Sequence, residues 1–171
     1  AIQWIDAQRQ RGKPFFAYIT PNAPHGPLVS PGPQYDKLYA GKSIQGRKLG
    51  TSDIPYYAMI SNIDDNLGKL LAKVREWGLE TNTLMIFMTD NGSTHGRLFS
   101  AGMRGGKGTP CQGGTRVPAF WRWPGTLPAG VDVNPLTAHI DLFPTFVELA
   151  GTRIPEGVNV DGRSLVPLLR D

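Results

Sequence analysis

The sequence predicts a layered α/β domain with a mostly parallel sheet, and three observations carry that prediction. Two short apolar runs rich in aromatic and β-branched residues, 15–20 (FFAYIT) and 84–89 (LMIFMT), read as buried strands. A long stretch with helical apolar spacing separates them. Each run feeds directly into a loop of turn-forming residues, PNAPHGP after the first and Asp90-Asn91-Gly92 after the second. Strands and helices alternating in this order build sheets covered by helices. Ligands of such sheets sit beyond the carboxyl ends of the strands, which places both loops on one rim.

In chain order, residues 1–13 (AIQWIDAQRQRGK) have helical spacing at Ile2 and Ile5 and a stop at Gly12. They open without Met inside an element already under way, as expected for part of a larger domain. Residues 15–20 are the first predicted strand, and Pro21, Pro24 and Pro27 stiffen the loop after it. From Tyr56, the positions Met59, Ile60, Ile63, Leu67, Leu70, Leu71, Val74 and Trp77 trace one face of a helix of about 22 residues. Asp53 and Pro55 mark its start, and Gly78 sits where a left-handed cap belongs. Residues 84–89 are apolar on both faces, as a parallel strand between helix layers is. Residues 117–122 (VPAFWR) read as a further strand, which Pro118 confines to an edge or to its first residue. Residues 140–150 (IDLFPTFVELA) form a second helix closed by Gly151, with Pro144 tolerable in its first turn.

Length and composition narrow the function classes. A chain of 171 residues suits one domain with one core. No apolar run approaches the roughly 18 residues that cross a bilayer. The single cysteine, Cys111, excludes an internal disulfide. The formal charge of +4 is modest, but residues 91–131 hold no Asp or Glu while carrying Arg97, Arg104, Lys107, Arg116 and Arg122. That sign bias in a Gly-rich segment suits a small anion. A nucleic-acid partner is not expected, because clustered cations with interleaved aromatics, or a reading helix, are missing.

Three loops offer chemistry. Asp90 and Asn91 set a hard carboxylate oxygen beside a neutral amide oxygen, a pair that suits Ca²⁺ or Mg²⁺; Asp-Asn-Gly is also a favoured turn on its own. His25, in the Pro-stiffened loop, can bind an anionic oxygen when charged or pass a proton to a leaving alkoxide. Lys107 lies within Met103-Arg104-Gly105-Gly106-Lys107-Gly108-Thr109, where the glycines let backbone approach a ligand and the lysine supplies a compact cation. A P-loop is not formed, since its four-residue spacer and Gly-Lys-Ser/Thr ending are missing.

In order and wording, four segments resemble the sulfatase family: PFFAYITPNAPHGPL, NTLMIFMTDNG after the long helix, MRGGKGTPCQGGTRVPAFWRWPG, and HIDLFPTFVELAG followed by VDGRSLVPLL. The resemblance covers nearly the whole chain. It implies an alkaline-phosphatase-like layered α/β/α fold, incomplete at its N-terminal side, and hydrolysis of a sulfate ester to an alcohol and sulfate. It also implies a divalent metal, usually Ca²⁺, with Mg²⁺ as the alternative. By resemblance, Asp90 and Asn91 are the second pair of metal ligands, His25 lies near the sulfate and leaving group, and Lys107 touches both. Arg104 and Arg116 shape the loop. Arg104 and His95, with Arg97, are lesser candidates for substrate contact, and His139 either faces the site or caps a helix.

The family's nucleophile is a formylglycine within Cys/Ser-x-Pro-x-Arg, and no Pro of this chain has Cys or Ser two positions before it. Cys111 stands in Cys-Gln-Gly-Gly-Thr-Arg and reads as a small, partly buried thiol. The first pair of metal-binding aspartates, a further Lys and His, and a small C-terminal domain are likewise expected outside the chain. The polypeptide alone is therefore expected to hydrolyse nothing, to hold metal poorly through two ligands, and to expose apolar surface that invites self-association. The substrate is a sulfate-ester small molecule or a sulfated glycan. Two alternatives share the framework: a phosphate or phosphonate ester hydrolase of the same superfamily, and a non-catalytic relative that binds a sulfated glycan through Arg97, Arg104 and Lys107.

Overall fold

In a computed structural model that describes residues 1–94 and 99–170, the chain opens on helix α1 (Ile2–Gln10). Gly12, at φ +62°, closes it: Gly12 N donates to Arg9 O at 2.9 Å and Lys13 N to Gln8 O at 3.2 Å, the paired bonds that satisfy the last helical carbonyls. Ile5 is buried, and the Arg9 guanidinium lies 5.4 Å from the centre of the Trp77 ring.

Residues 15–20 correct the first strand prediction. They pair with no strand among the described residues, and Phe16, Tyr18 and Ile19 stand 69%, 84% and 47% exposed. A strand exists through its cross-strand hydrogen bonds, and aromatic and β-branched residues supply the propensity without the partner. Phe16 instead rests edge-on against Phe146, with ring centres 5.5 Å apart.

Helix α2 (Pro33–Tyr39) emerges from the Pro-rich loop, with Pro33 in its first turn. It packs on the long helix through Tyr39, whose ring lies 5.5 Å from that of Tyr57 and whose hydroxyl meets Ser61 Oγ at 2.6 Å. A two-residue hairpin follows, β1 (Ser43–Ile44) against β2 (Arg47–Lys48). Its turn residues, Gln45 at φ +49° and Gly46 at φ +77°, adopt the doubly left-handed geometry that matches strand twist.

Helix α3 (Ile54–Glu76) is the predicted long helix, with Pro55 in its first turn. Asp53 is buried and caps backward, its Oδ2 accepting from Gly50 N at 3.0 Å. At the other end Gly78, at φ +68°, donates to Arg75 O at 2.9 Å, and Leu79 N reaches Val74 O at 3.0 Å. Ala58, Met59 and Val74 are buried, whereas Ile63, Leu67, Leu70 and Leu71 are half-buried.

Strand β3 (Met85–Met88) pairs with β4 (Ala119–Arg122) over the register Met85↔Arg122 to Met88↔Ala119. The α/β class stands, but this ladder is antiparallel where a parallel one was predicted. A parallel pair needs a crossover, usually a helix; among the described residues between these two strands the only helix is the single-turn α4 (Gln112–Thr115). Pro118 sits just ahead of β4, where its missing N–H costs no ladder bond. Glu80, in the 3-10 turn Glu80–Asn82, accepts from Arg122 Nη2 at 2.6 Å, and this bond is the leading cause that holds its carboxyl below the ordinary range.

A second 3-10 turn, His139–Asp141, runs into α5 (Leu142–Leu149), with Pro144 in the first turn as predicted. Gly151 closes α5 at φ +63°. The segment before α6 (Val166–Arg170) folds back over this corner. Asp141 Oδ1 accepts from Arg163 N at 2.9 Å and Oδ2 from Ala138 N at 2.8 Å. Thr145 Oγ1 donates to Asp141 O at 2.6 Å and accepts from Leu165 N at 2.8 Å. Asp141, Thr145, Leu165 and Val166 are all buried. No helix among the described residues is long and apolar enough to cross a membrane.

Candidate functional site

Strand β3 ends at Met88 and delivers Thr89, Asp90, Asn91 and Gly92 as a tight rim loop. Asn91 Nδ2 donates to Asp90 Oδ2, which holds the two side chains together. Thr89 Oγ1 donates to Asn91 O at 3.2 Å and tightens the turn. Asp90 is exposed and Asn91 half-buried.

The Gly-rich loop folds directly onto this turn. Gly92 N donates to Gly114 O at 2.9 Å, and Lys107 N donates to Ser93 O at 3.2 Å. Within the loop, Gly113 N donates to Arg104 O at 2.8 Å. The packing is so close that a Cβ on Gly92 would stand 1.8 Å from Gly113 O, one on Gly113 2.3 Å from Gly105 O, and one on Gly114 2.3 Å from Thr109 O. The glycines predicted to let backbone approach a ligand are Gly105, Gly106 and Gly108; Gly92, Gly113 and Gly114, which carried no such prediction, admit one stretch of backbone to another. The sequence signal was the same, since absent Cβ atoms serve either purpose.

The structure thus brings two of the three predicted loops together, that of Asp90 with Asn91 and that of Lys107. Arg104, Lys107 and Arg116 are exposed and make no ion pair among the described residues, whereas Arg122 is neutralised by Glu80. Three cations therefore stand on the loop that cradles the Asp90–Asn91 turn. Cys111 begins α4 and is half-buried. His95 and Arg97 lie outside the described residues.

His25 sits in the exposed Pro-rich loop, where the bonds around it are local. His25 N donates to Asn22 O at 3.0 Å, and Nδ1 lies 2.8 Å from Gly26 O. A carbonyl only accepts, so Nδ1 carries the proton in this contact. No hydrogen bond among the described residues joins this loop to the other two.

Two further contacts reach the rim. Tyr56 OH, in the first turn of α3, lies 3.2 Å from Ser93 Oγ. His139 Nε2 lies 2.9 Å from Thr89 O, one residue before Asp90; of the two roles predicted for His139, it faces the rim. Tyr56 was not predicted as more than a helix residue, and sequence spacing gives no signal for a contact 37 positions away.

The donor set suits a hard divalent cation: a carboxylate and an amide oxygen held side by side are oxygen ligands of the kind Ca²⁺ and Mg²⁺ take. Among the described residues no group of three or more His, Cys, Asp or Glu side chains is placed to hold a metal.

The family model described as Sulfatase matches residues 1–152. N-acetylgalactosamine-6-sulfatase of Rattus norvegicus is 34% identical over 177 aligned residues, covering 99% of this chain and 31% of the relative. Arylsulfatase A of Homo sapiens is 36% identical over 168 residues, covering 96% of this chain and 30% of that protein. The chain thus spans less than a third of the length of these curated relatives. Among solved structures, Ps i-CgsB superposes with a TM-score of 0.88 at 30% identity over 98% of this chain and 36% of its own, and its complex with k-i-k-neocarrahexaose gives 0.86 at 31% identity.

Proposed function

Because the chain belongs to the sulfatase family, we propose that it forms the metal-pair and cation part of a site that hydrolyses a sulfate ester to an alcohol and sulfate. The observation that carries this reading is the docking of the Gly-rich loop on the Asp90–Asn91 turn through Lys107 N to Ser93 O and Gly92 N to Gly114 O. It puts two oxygen-bearing side chains and a cationic loop on one rim, the combination a tetrahedral anion paired with a divalent ion requires.

Each residue has a distinct task. Asp90 and Asn91 hold the ion, and their mutual hydrogen bond fixes how their remaining oxygens point. A calcium or magnesium ion held by Asp90 and Asn91 would supply Lewis-acid neutralisation of negative charge on the substrate. Lys107 donates to the sulfuryl and bridging oxygens, and its attraction grows as negative charge develops on them. His25, with Nδ1 committed to Gly26 O, offers Nε2–H to the leaving oxygen in its charged form. Arg104 and Arg116 sustain the positive field over the loop. The nucleophile is not among these residues, since the chain has no Cys/Ser-x-Pro-x-Arg segment, and in this reading it comes from outside residues 1–171. The same reading makes the chain one partial catalytic domain.

The substrate class proposed is a sulfated glycan. The support is the run of exposed cations Arg104, Lys107 and Arg116, which make no ion pair among the described residues, together with the related structure in complex with k-i-k-neocarrahexaose.

The test is made on the complete polypeptide that carries this chain behind a nucleophile segment, with 4-nitrophenyl sulfate and sulfated oligosaccharides as probes. Lys107→Met is expected to lower kcat about 10²–10³-fold. Asp90→Ala is expected to abolish calcium binding along with sulfate release. Sulfate release by both variants at the wild-type rate would overturn the reading.

A further inference from the structure

We infer that His139 is a positioning residue for the metal pair: it holds the carbonyl of Thr89, and with it the turn that presents Asp90 and Asn91, at a fixed distance from the α5 corner. The inference rests on the reading of Asp90 and Asn91 given above. His139 Nε2 lies 2.9 Å from Thr89 O, across 50 positions of sequence. Because the carbonyl has no proton to give, the imidazole donates, and it does so equally as the Nε2–H neutral tautomer or as the imidazolium.

The bond has leverage because both of its ends are otherwise built to be rigid. On the far side, the turn bearing His139 is clamped by buried groups. Asp141 accepts from Ala138 N at 2.8 Å and from Arg163 N at 2.9 Å, and Thr145, fully buried, links Asp141 O to Leu165 N. Gly162 passes so close that a Cβ there would stand 2.1 Å from Ile140 O. On the near side, the turn after β3 is seated on the Gly-rich loop through Gly92 N to Gly114 O and on α3 through Tyr56 OH and Ser93 Oγ. His139 supplies the third support, applied to the residue immediately before the first metal-binding side chain. An outer partner of this kind sets ligand direction and typically changes metal affinity 10- to 100-fold when removed.

In the complete enzyme, His139→Ala removes the donor, whereas His139→Gln retains an N–H at the Nε2 position. Calcium binding is read by isothermal titration calorimetry on metal-free protein, with thermal unfolding as a control for folding. The expected result is an affinity about tenfold or more weaker in His139→Ala, recovered to within about threefold of wild type in His139→Gln, with unfolding temperatures of the metal-free proteins alike. Wild-type calcium affinity in His139→Ala, while Asp90→Ala no longer binds, would overturn the positioning role and leave the metal-pair reading intact. Wild-type affinity in Asp90→Ala would overturn both. Equal weakening in His139→Ala and His139→Gln would also overturn it, because the ring would then act by bulk rather than by its donated hydrogen bond.

Discussion

At the scale of single residues, the site is governed by atoms that are missing as much as by those present. Gly92, Gly113 and Gly114 are needed because their neighbours' carbonyls occupy the space a side chain would take. Gly92→Ala is therefore expected to force apart the Asp90–Asn91 turn and the Lys107 loop, at a cost of about 1–3 kcal/mol in stability. Chemical denaturation measures that loss, and an unchanged midpoint would refute the account. Gly108, equally Gly by sequence, has open space around it and a φ of +83°, so its constraint is conformational rather than steric. Such differences are invisible in the one-letter string. Candidate identities at Asp90, Asn91 and Lys107 were legible, because a carboxylate, an amide and a cation declare their chemistry wherever they lie. The Tyr56 and His139 contacts were not, because they depend on which distant segments fold against the end of β3.

At the scale of elements, three helix ends were legible from a left-handed glycine, Gly12, Gly78 and Gly151 closing α1, α3 and α5 as predicted, whereas α2, followed by Gly41 at φ +72°, was not. Pairing was not legible. The run at 15–20 has strand composition and no ladder partner among the described residues, and β3 finds β4 in antiparallel register, because composition reports the preference of one segment and a ladder needs two. The corner at α5 shows the same dependence on distant chain. Asp141 accepts from Arg163 N first and Ala138 N second, and these bonds hold its carboxyl below the usual aspartate value despite burial. A depressed folded value contributes stability above the unfolded pKa near 3.9 and loses it as pH falls through the folded one. Wild type should accordingly lose stability on acidification from about pH 5 downward more steeply than Asp141→Asn. At neutral pH that variant should be about 1–3 kcal/mol less stable, since an amide offers one acceptor oxygen where the two backbone donors need two. Thermal unfolding across this range measures both, and parallel pH curves would refute the assignment.

At the scale of the whole molecule, apolar surface is unevenly covered. Phe16, Tyr18, Phe120 and Leu136 are 69%, 84%, 66% and 91% exposed, and in the α3 stripe Ile63, Leu67, Leu70 and Leu71 are only half-buried. Exposed patches of this kind drive association. The 171-residue chain by itself is therefore expected to self-associate in sedimentation velocity, in a manner that high salt does not dissolve. It is also expected to release no 4-nitrophenol from 4-nitrophenyl sulfate, as a chain without a Cys/Ser-x-Pro-x-Arg segment should. A single monomer boundary would refute the first expectation, and a measurable hydrolysis rate the second.

The β3–β4 ladder has a topological effect on the chemistry. Met88 and Ala119 are register partners, so residues 89–118 depart from and rejoin the sheet at neighbouring points about 5 Å apart. Asp90, Asn91, Lys107 and the packed glycines all lie within that excursion. In the reading proposed above, swapping residues 89–118 for the corresponding stretch of a relative exchanges the Asp90–Asn91 pair and the Lys107 loop in one step, while the register of β3 on β4 stays in place.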